Sequence, residues 1–280
     1  MASPSDAPLD SETPFNIRPD AFAGTARYYA RYRPPYPAAL LDDLCRRAGV
    51  SGAGRLLDLG CGPGRVALPL ASRFREVVAV DLEPEMIKVG GEEAGCQGVA
   101  NVKWSVGRVE DVSEIAGSCE LITMGEAFHR FDQPLILRRA LEWLQPGGCL
   151  ATLGGTNALL KKGEAPWQRK LAEVWARWEG KGVAGGHPTA VTSTTRYGDL
   201  MAEAGFEDLG DHDFDATLTW DVDSLIGNAY SSSVMSRRAL GERAAGFEAD
   251  MRRTMLALEP GGRFTETFTF GYTLARKPGE

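Results

Sequence analysis

Three glycines in five residues, Gly60, Gly62 and Gly64, stand directly after the apolar run Leu56-Leu57-Asp58-Leu59. Glycine lets a backbone turn through positive φ and lets a ligand approach where a Cβ would collide. The stretch therefore reads as a strand entering a ligand-cradling turn, followed by a helix through Val66, Leu70 and Phe74, with the ligand over the strand's carboxyl end and the helix N-terminus. Asp58 stands just before the turn. Asp81 closes the next apolar run, Val77-Val78-Ala79-Val80, where a carboxylate can accept both hydroxyls of a ribose. The spacing is GxGxG rather than the GxGxxG of dinucleotide folds, because the sixth position is Arg65.

A second set of reactive side chains lies in Met124-Gly125-Glu126-Ala127-Phe128-His129-Arg130-Phe131-Asp132. His129 sits between aromatics, and an imidazole titrates near neutral pH, so it can take a proton from an acceptor. Glu126 can serve instead or orient the ring. The competing reading has His129 packing and bonding locally to Asp132. Other candidates fail on chemistry. Asp211, Asp213 and Asp215 resemble the start of a calcium loop, but Ala216 stands where glycine is needed and Val222 where a bidentate glutamate is needed. His187 reads as loop structure and His212 as a surface residue of a strand, and neither has metal-ligand spacing, so no metal is expected. Trp167, Leu171, Trp175 and Trp178 recur at helical spacing and read as the buried face of a helix.

These residues need a frame to hold them. Apolar strands Leu56–Leu59, Val77–Val80, Val102–Val106, Leu121–Met124 and Cys149–Leu153 alternate with helical patterns, which means a parallel sheet covered on both faces. Phe206 to Trp220 and Phe264 to Arg276 alternate as two closing strands with a helical stretch between them. The fold expected is α/β, a Rossmann-like, mostly parallel sheet with an antiparallel final strand and a helical cap. The chain divides into a disordered tail (1–14), a helical arm (15–48) broken at Arg33-Pro34-Pro35-Tyr36-Pro37, a core (49–155), a cap insertion with a returning strand (156–263), and the final strand (264–280). Gly180 to Thr195 reads as a loop.

The run Leu56 to Gly64, followed by Val80-Asp81-Leu82-Glu83-Pro84-Glu85-Met86-Ile87, resembles the first two motifs of class I methyltransferases that use S-adenosylmethionine. The likeness covers Arg27 to about Leu153. It implies that Gly60, Gly62 and Gly64 cradle the methionine part of the donor with Asp58 behind them, that Asp81 holds the ribose, and that Leu82 and Met86 lie against adenine. The third motif departs from the family's Gly-Asp-Ala-Glu: it reads Gly107-Arg108-Val109-Glu110-Asp111, and Arg108 cannot accept a bond from the adenine amine. Glu110, Asp111 or a main-chain carbonyl is left for that contact, with Val109 also at the donor site. The segment after Gly125 resembles the "AFHWFD" turn of a methyltransferase subgroup, with Arg130 in place of Trp. The likeness sets Gly125 at the donor, His129 and Glu126 beside the methyl group, and Phe128 at the acceptor. Tyr28 to Pro37 matches the same subgroup's "YRPxYP" stretch, an arm over the donor, with Arg33 pairing to the donor carboxylate and Tyr28 or Tyr29 lining the substrate cavity. Arg33-Pro34-Pro35-Tyr36 lacks the leading Asp or Asn of nucleic-acid amino-methyltransferases, which argues against DNA adenine as acceptor.

Composition limits the partners. A hydrophobic fraction of 43% is ample for a core, and a formal charge of −7 disfavours nucleic acid or an anionic membrane. Five scattered cysteines fit reduced thiols and a cytoplasmic protein. The expected reaction is methyl transfer to an N, O or C atom of a small molecule in secondary metabolism, releasing S-adenosylhomocysteine, by a monomer or homo-oligomer. The alternatives are a nicotinamide (NAD(P))-dependent oxidoreductase and a catalytically silent S-adenosylmethionine-binding subunit.

Overall fold

A computed structural model of the protein describes residues 20–113, 117–155, 165–179 and 196–279. Its strands are β1 (Arg55–Leu59), β2 (Glu76–Asp81), β3 (Val102–Val106), β4 (Cys119–Gly125), β5 (Leu144–Gly155), β6 (Glu207–Asp221) and β7 (Arg263–Arg276). They form one sheet in the order β3-β2-β1-β4-β5-β7-β6. The first five run parallel, and β7 is antiparallel to both β5 and β6. The expected mostly parallel sheet with an antiparallel final strand is thus the fold found. The reversal of order at β1 and β4 opens a crevice at their carboxyl ends, where open α/β sheets bind ligands.

The described residues form ten α-helices beside the sheet: α1 (Ala26–Tyr32), α2 (Ala38–Ala48), α3 (Ala67–Leu70), α4 (Pro84–Gln97), α5 (Gln133–Trp143), α6 (Pro166–Trp178), α7 (Tyr197–Glu203), α8 (Val222–Tyr230), α9 (Arg237–Leu240) and α10 (Ala244–Leu258). Side chains that alternate along β1 and β4 enter opposite layers, which is why these strands read as unbroken apolar runs. Leu56 and Leu121 pack with Leu40 and Leu44 of α2. Leu57 and Ile122 pack with Ile136 and Trp143 of α5 and Met201 of α7.

A separate apolar cluster joins α6, α8 and α10, including Trp167, Leu171, Trp175, Ile226, Phe247 and Met251. The tryptophan pattern therefore marks a packed helix face, as its spacing predicts. β5 ends opposite Phe270, so among the described residues the rest of β7 back to Arg263 pairs with β6 alone. That ribbon carries Trp220 and Phe264 into the helical cluster. Polar bonds lock it: Asp250 accepts from Trp178 Nε1 at 2.8 Å and Arg177 Nη2 at 2.9 Å, and Glu266 accepts from Trp220 Nε1 at 2.7 Å.

The arm is two helices, as the prolines predict, with Arg33 already extended at φ −72°, ψ 131°. α1 bridges core and cap. Ala26 packs on Met86 and Val89 of α4, while Asn228 Nδ2 of α8 donates to the Tyr32 carbonyl at 3.2 Å. One element differs from expectation. The helix after the glycine turn does not run through Phe74: α3 spans four residues and passes into a 3-10 turn at Ala71–Arg73. The chain leaves the helical path at Phe74 (φ −135°, ψ 150°), where Asn101 Nδ2 takes up the Ala71 and Phe74 carbonyls at 2.8 and 2.9 Å. The tail at 1–14 and the loop at 180–195 lie outside the described residues, as does His187.

Candidate functional site

The turn after β1 takes positive φ at Gly60 (64°), Gly62 (55°) and Gly64 (89°). The three glycines differ in what surrounds them. A Cβ on Gly60 would come within 2.7 Å of Ala127, and one on Gly64 within 2.7 Å of the Trp104 ring. At Gly62 the nearest neighbour is Tyr29, 3.8 Å away. Protein packing demands glycine at the first and last positions, whereas at Gly62 a Cβ would meet only an ordinary contact with Tyr29.

Two carboxylates shape the turn. Asp58 is fully buried; it accepts from Thr123 Oγ1 at 2.8 Å and from the Ala67 amide at 3.1 Å. Both its oxygens are engaged within the protein, and burial raises its pKa to about 7. Asp81 accepts from the Gly62 amide at 2.8 Å through one oxygen and from the Glu83 amide at 2.9 Å through the other. Each oxygen keeps a second lone pair. Burial raises the pKa of Asp81 as well. Beyond it, Leu82 is 46% exposed and Val106 is 51% exposed, an apolar surface without cover. Met86 is instead consumed in the contact with α1. Val109 is buried in the core layer, and Glu110 pairs with Arg108 at 3.6 Å.

At the end of β4, Glu126 holds φ 55°, a left-handed backbone rare for a residue with a Cβ. Its amide donates to the Leu153 carbonyl at 2.8 Å and its carboxylate accepts from the Gly155 amide at 2.8 Å. These bonds tie β4 to β5 and over-determine the strained turn. Burial pushes the Glu126 pKa up. Phe128 is buried edge-on to Tyr197, with ring centroids 5.0 Å apart. His129 Nε2 accepts from Arg130 Nε at 3.3 Å. Burial, aided by the Arg130 charge, lowers the His129 pKa to about 4. The expectation of an imidazole titrating near neutrality is therefore corrected: the ring is neutral at physiological pH. Its expected bond to Asp132 is also absent among the described residues, because Asp132 caps α5 by accepting from the Leu135 amide at 3.1 Å.

Two cavities flank this junction. A groove of about 520 Å³ is lined by Glu126, His129, Tyr197, Asp211, Asp213 and Thr269, with further residues of β4, β5 and β7. A smaller one lies at the glycine turn between Tyr29, Tyr36, Gly60, Cys61, Arg65 and Gly125. The arm divides between them and the cap. Tyr29 faces the turn, while Tyr28 stacks edge-on against Tyr230 at 5.2 Å and meets Arg237, away from both cavities. Arg33 donates through Nε to Ser231 Oγ at 2.8 Å and lies over the Tyr29 ring at 5.0 Å. Arg130 stacks on Phe22 at 4.4 Å.

The structure thus gathers Gly60, Gly62, Gly64, Asp81, Gly125, Glu126, Phe128, His129, Tyr29 and Arg33 around one crevice. Tyr28 and Met86 are turned elsewhere, and Asp58 acts on the turn itself. Sequence reasoning missed Arg65, Tyr36 and Tyr197, and it set aside Asp211 and Asp213. The period-two spacing of those aspartates does put them on one face of β6, which was the available signal. His212 is half-buried, with its ring 4.9 Å from that of Tyr272. Among the described residues, no group of three or more His, Cys, Asp or Glu could hold a metal, and no helix is long and apolar enough to cross a membrane.

Residues 56–148 match a family model described as a methyltransferase domain. Nocamycin O-methyltransferase from Saccharothrix syringae is 27% identical over 86% of this chain and 90% of its own length. Other curated relatives at 32% and 36% identity are spanned for 59% and 50% of their length. Among solved structures, the YcgJ protein from Bacillus subtilis superposes with a TM-score of 0.53 at 19% identity, over 87% of this chain and 100% of that one. The [4+2]-cyclase SpnF superposes with a TM-score of 0.52 at 17% identity, over 89% and 84%. Those likenesses establish the fold, and a fold does not fix a reaction. The domain match runs from β1 through the glycine turn to the start of β5, and it sets the nicotinamide reading aside.

Proposed function

We propose that this S-adenosylmethionine-dependent methyltransferase holds its donor on the turn Gly60–Gly64 and methylates an N, O or C atom of a small molecule seated beside Glu126. One observation carries the reading: the two cavities meet at consecutive residues, Gly125 lining one and Glu126 the other. The residues at the turn suit the donor. Gly62 leaves room where a Cβ would stand, Asp81 has lone pairs to accept a ribose diol, and exposed Leu82 offers an apolar face to adenine. The adenine amine is left to Glu110 or a main-chain carbonyl near Val109.

When bound, the donor supplies a methyl group on a sulfonium, already activated for displacement. The protein's task is then mainly to align the acceptor, and alignment can supply most of the rate. The groove walls do this through Tyr197, Phe128 and the polar face of β6 and β7. An acceptor that arrives protonated needs a base. Glu126 is placed for that role, and its raised pKa makes it a better proton acceptor than an ordinary carboxylate. His129, held neutral with a pKa of about 4, is a poor base and serves as groove wall. Nocamycin O-methyltransferase, whose length this chain nearly spans, favours an oxygen acceptor as the first to look for. The free thiols, four of them buried and one exposed, suit a reducing cytoplasm.

The test is a thermal shift with S-adenosylmethionine, S-adenosylhomocysteine and NADPH, followed by a screen of small-molecule extracts with methyl-labelled donor. The expected result is stabilisation by the first two only, with label appearing in a low-molecular-weight product. Stabilisation by NADPH alone would overturn the reading.

A further inference from the structure

Two buried polar atoms beside the glycine turn have nothing to bond. The Tyr36 hydroxyl and the Arg65 Nε–H are shut off from solvent and have no hydrogen-bond partner among the described residues. A buried donor left unpaired carries its full desolvation cost, so native proteins rarely leave one without a reason. Here both groups line the same small cavity, against Gly60 and Gly125.

Neither group is loosely held. Tyr36 is 6% exposed, and its ring packs edge-on against Phe270 at 5.8 Å. Its hydroxyl oxygen lies 3.2 Å from where a Cβ of Gly125 would stand, over the end of β4. The Arg65 guanidinium lies over the Tyr36 ring at 4.8 Å and near the Tyr29 ring at 5.8 Å, and its Nη2 donates to the Pro34 carbonyl. Those contacts fix the guanidinium plane and leave Nε facing inward. The neighbouring acids bond elsewhere: Asp58 accepts from Thr123 and Ala67, and Glu126 from the Gly155 amide. What is missing is a group that accepts two hydrogen bonds and carries negative charge next to a guanidinium, which describes a carboxylate.

The ribose-binding acid, Asp81, marks the nucleoside end of the crevice, bonded to the Gly62 amide. The Tyr36–Arg65 cavity lies at the Gly60 and Gly125 side of the same turn, where the amino-acid end of the donor falls. We propose that Tyr36 and Arg65 bind the α-carboxylate of the methionine moiety of S-adenosylmethionine. This rests on the donor reading above. It moves the carboxylate contact from Arg33, whose Nε is spent on Ser231, to Tyr36 further along the same arm and Arg65 after the glycine turn, and it leaves Arg33 as a brace on Tyr29.

The test compares S-adenosylhomocysteine with 5′-methylthioadenosine, which keeps the nucleoside and sulfur but lacks the carboxylate. Calorimetry on the full chain with Tyr36→Phe and Arg65→Gln is expected to show S-adenosylhomocysteine affinity falling about tenfold or more in each. Affinity for 5′-methylthioadenosine should stay within about twofold of wild type on the same reasoning. Unchanged S-adenosylhomocysteine affinity in both variants would overturn the proposal, as would an equal loss for both ligands. Tyr36→Phe keeps the ring and its packing, so it decides the matter alone if Arg65→Gln does not fold. Wild-type protein that binds neither ligand would instead count against the donor reading itself.

Discussion

At the glycine turn, all but one of the polar partners named come from a short span of chain: Asp58 reaches Ala67 nine residues on, and Asp81 reaches back to Gly62 and forward to Glu83, with Thr123 of β4 the exception. The groove next to it is assembled from afar, with Glu126 from β4, Gly155 from β5, Tyr197 from α7, Asp213 from β6 and Thr269 from β7. The two regions share a wall at Gly125 and Glu126 but draw on different kinds of constraint. The turn is fixed by local backbone geometry that few residue types permit. The groove is fixed by which strands the topology makes neighbours, and its side chains are free to vary in chemistry. A donor common to many reactions suits the first, and an acceptor particular to one reaction suits the second.

If the difference is real, mutations on the two sides separate binding from turnover. The largest effect is expected at Glu126. With an acceptor in hand, Glu126→Gln should lower single-turnover methyl transfer by about 10²–10⁴-fold, the range for loss of a general base. His129→Asn should retain most activity, because a ring whose pKa is about 4 is neutral across the working pH range. A rate that follows a group titrating near pH 6–7 and vanishes in His129→Asn would restore His129 as the base and remove Glu126.

A smaller effect concerns the turn's foundation. Asp58 has a folded-state pKa raised from 3.8 to about 7. A raised pKa means the folded state binds more protons than the unfolded one, so this stabilisation is complete below about pH 4 and is lost as pH rises through about 7. At 1.36 kcal/mol per unit, the swing is on the order of 2–4 kcal/mol. Denaturant unfolding of wild type and Asp58→Asn across pH 4–8 should show the advantage of wild type shrinking as pH rises. An advantage that grows with pH would mean Asp58 is ionised in the fold and the turn is held by a charged anchor instead.

The same contrast explains what the sequence disclosed. The glycine turn, Asp81 and the five parallel strands were legible because each is a local signal: positive-φ glycines, an acid at a strand end, apolar runs buried on both faces. The two closing strands were legible from their alternation. The short α3 was not, because period-3.6 spacing at Val66, Leu70 and Phe74 says nothing of Asn101, which takes the Ala71 and Phe74 carbonyls from 30 and 27 residues on. Tyr197 carries no local mark, and the period-two spacing of Asp211 and Asp213 gives their shared face but not its neighbour; the pairing of β6 with β7 and the docking of α7 bring them to the groove beside Glu126. Arg65 was read only as the residue that spoils a dinucleotide motif, and Tyr36 only as part of an arm. Their shared cavity exists because the prolines at 34, 35 and 37 fold that arm back over the turn.

The central claim is that donor and acceptor occupy adjoining but separate regions, with Asp81 on one side and Asp213 on the other. Calorimetric titration of S-adenosylhomocysteine into wild type, Asp81→Ala and Asp213→Asn tests it without knowledge of the acceptor. The account predicts a loss of about 1.5–3 kcal/mol for Asp81→Ala, the scale of a charged hydrogen bond, and wild-type affinity for Asp213→Asn. Undiminished affinity in Asp81→Ala, or an equal loss in Asp213→Asn, would contradict it.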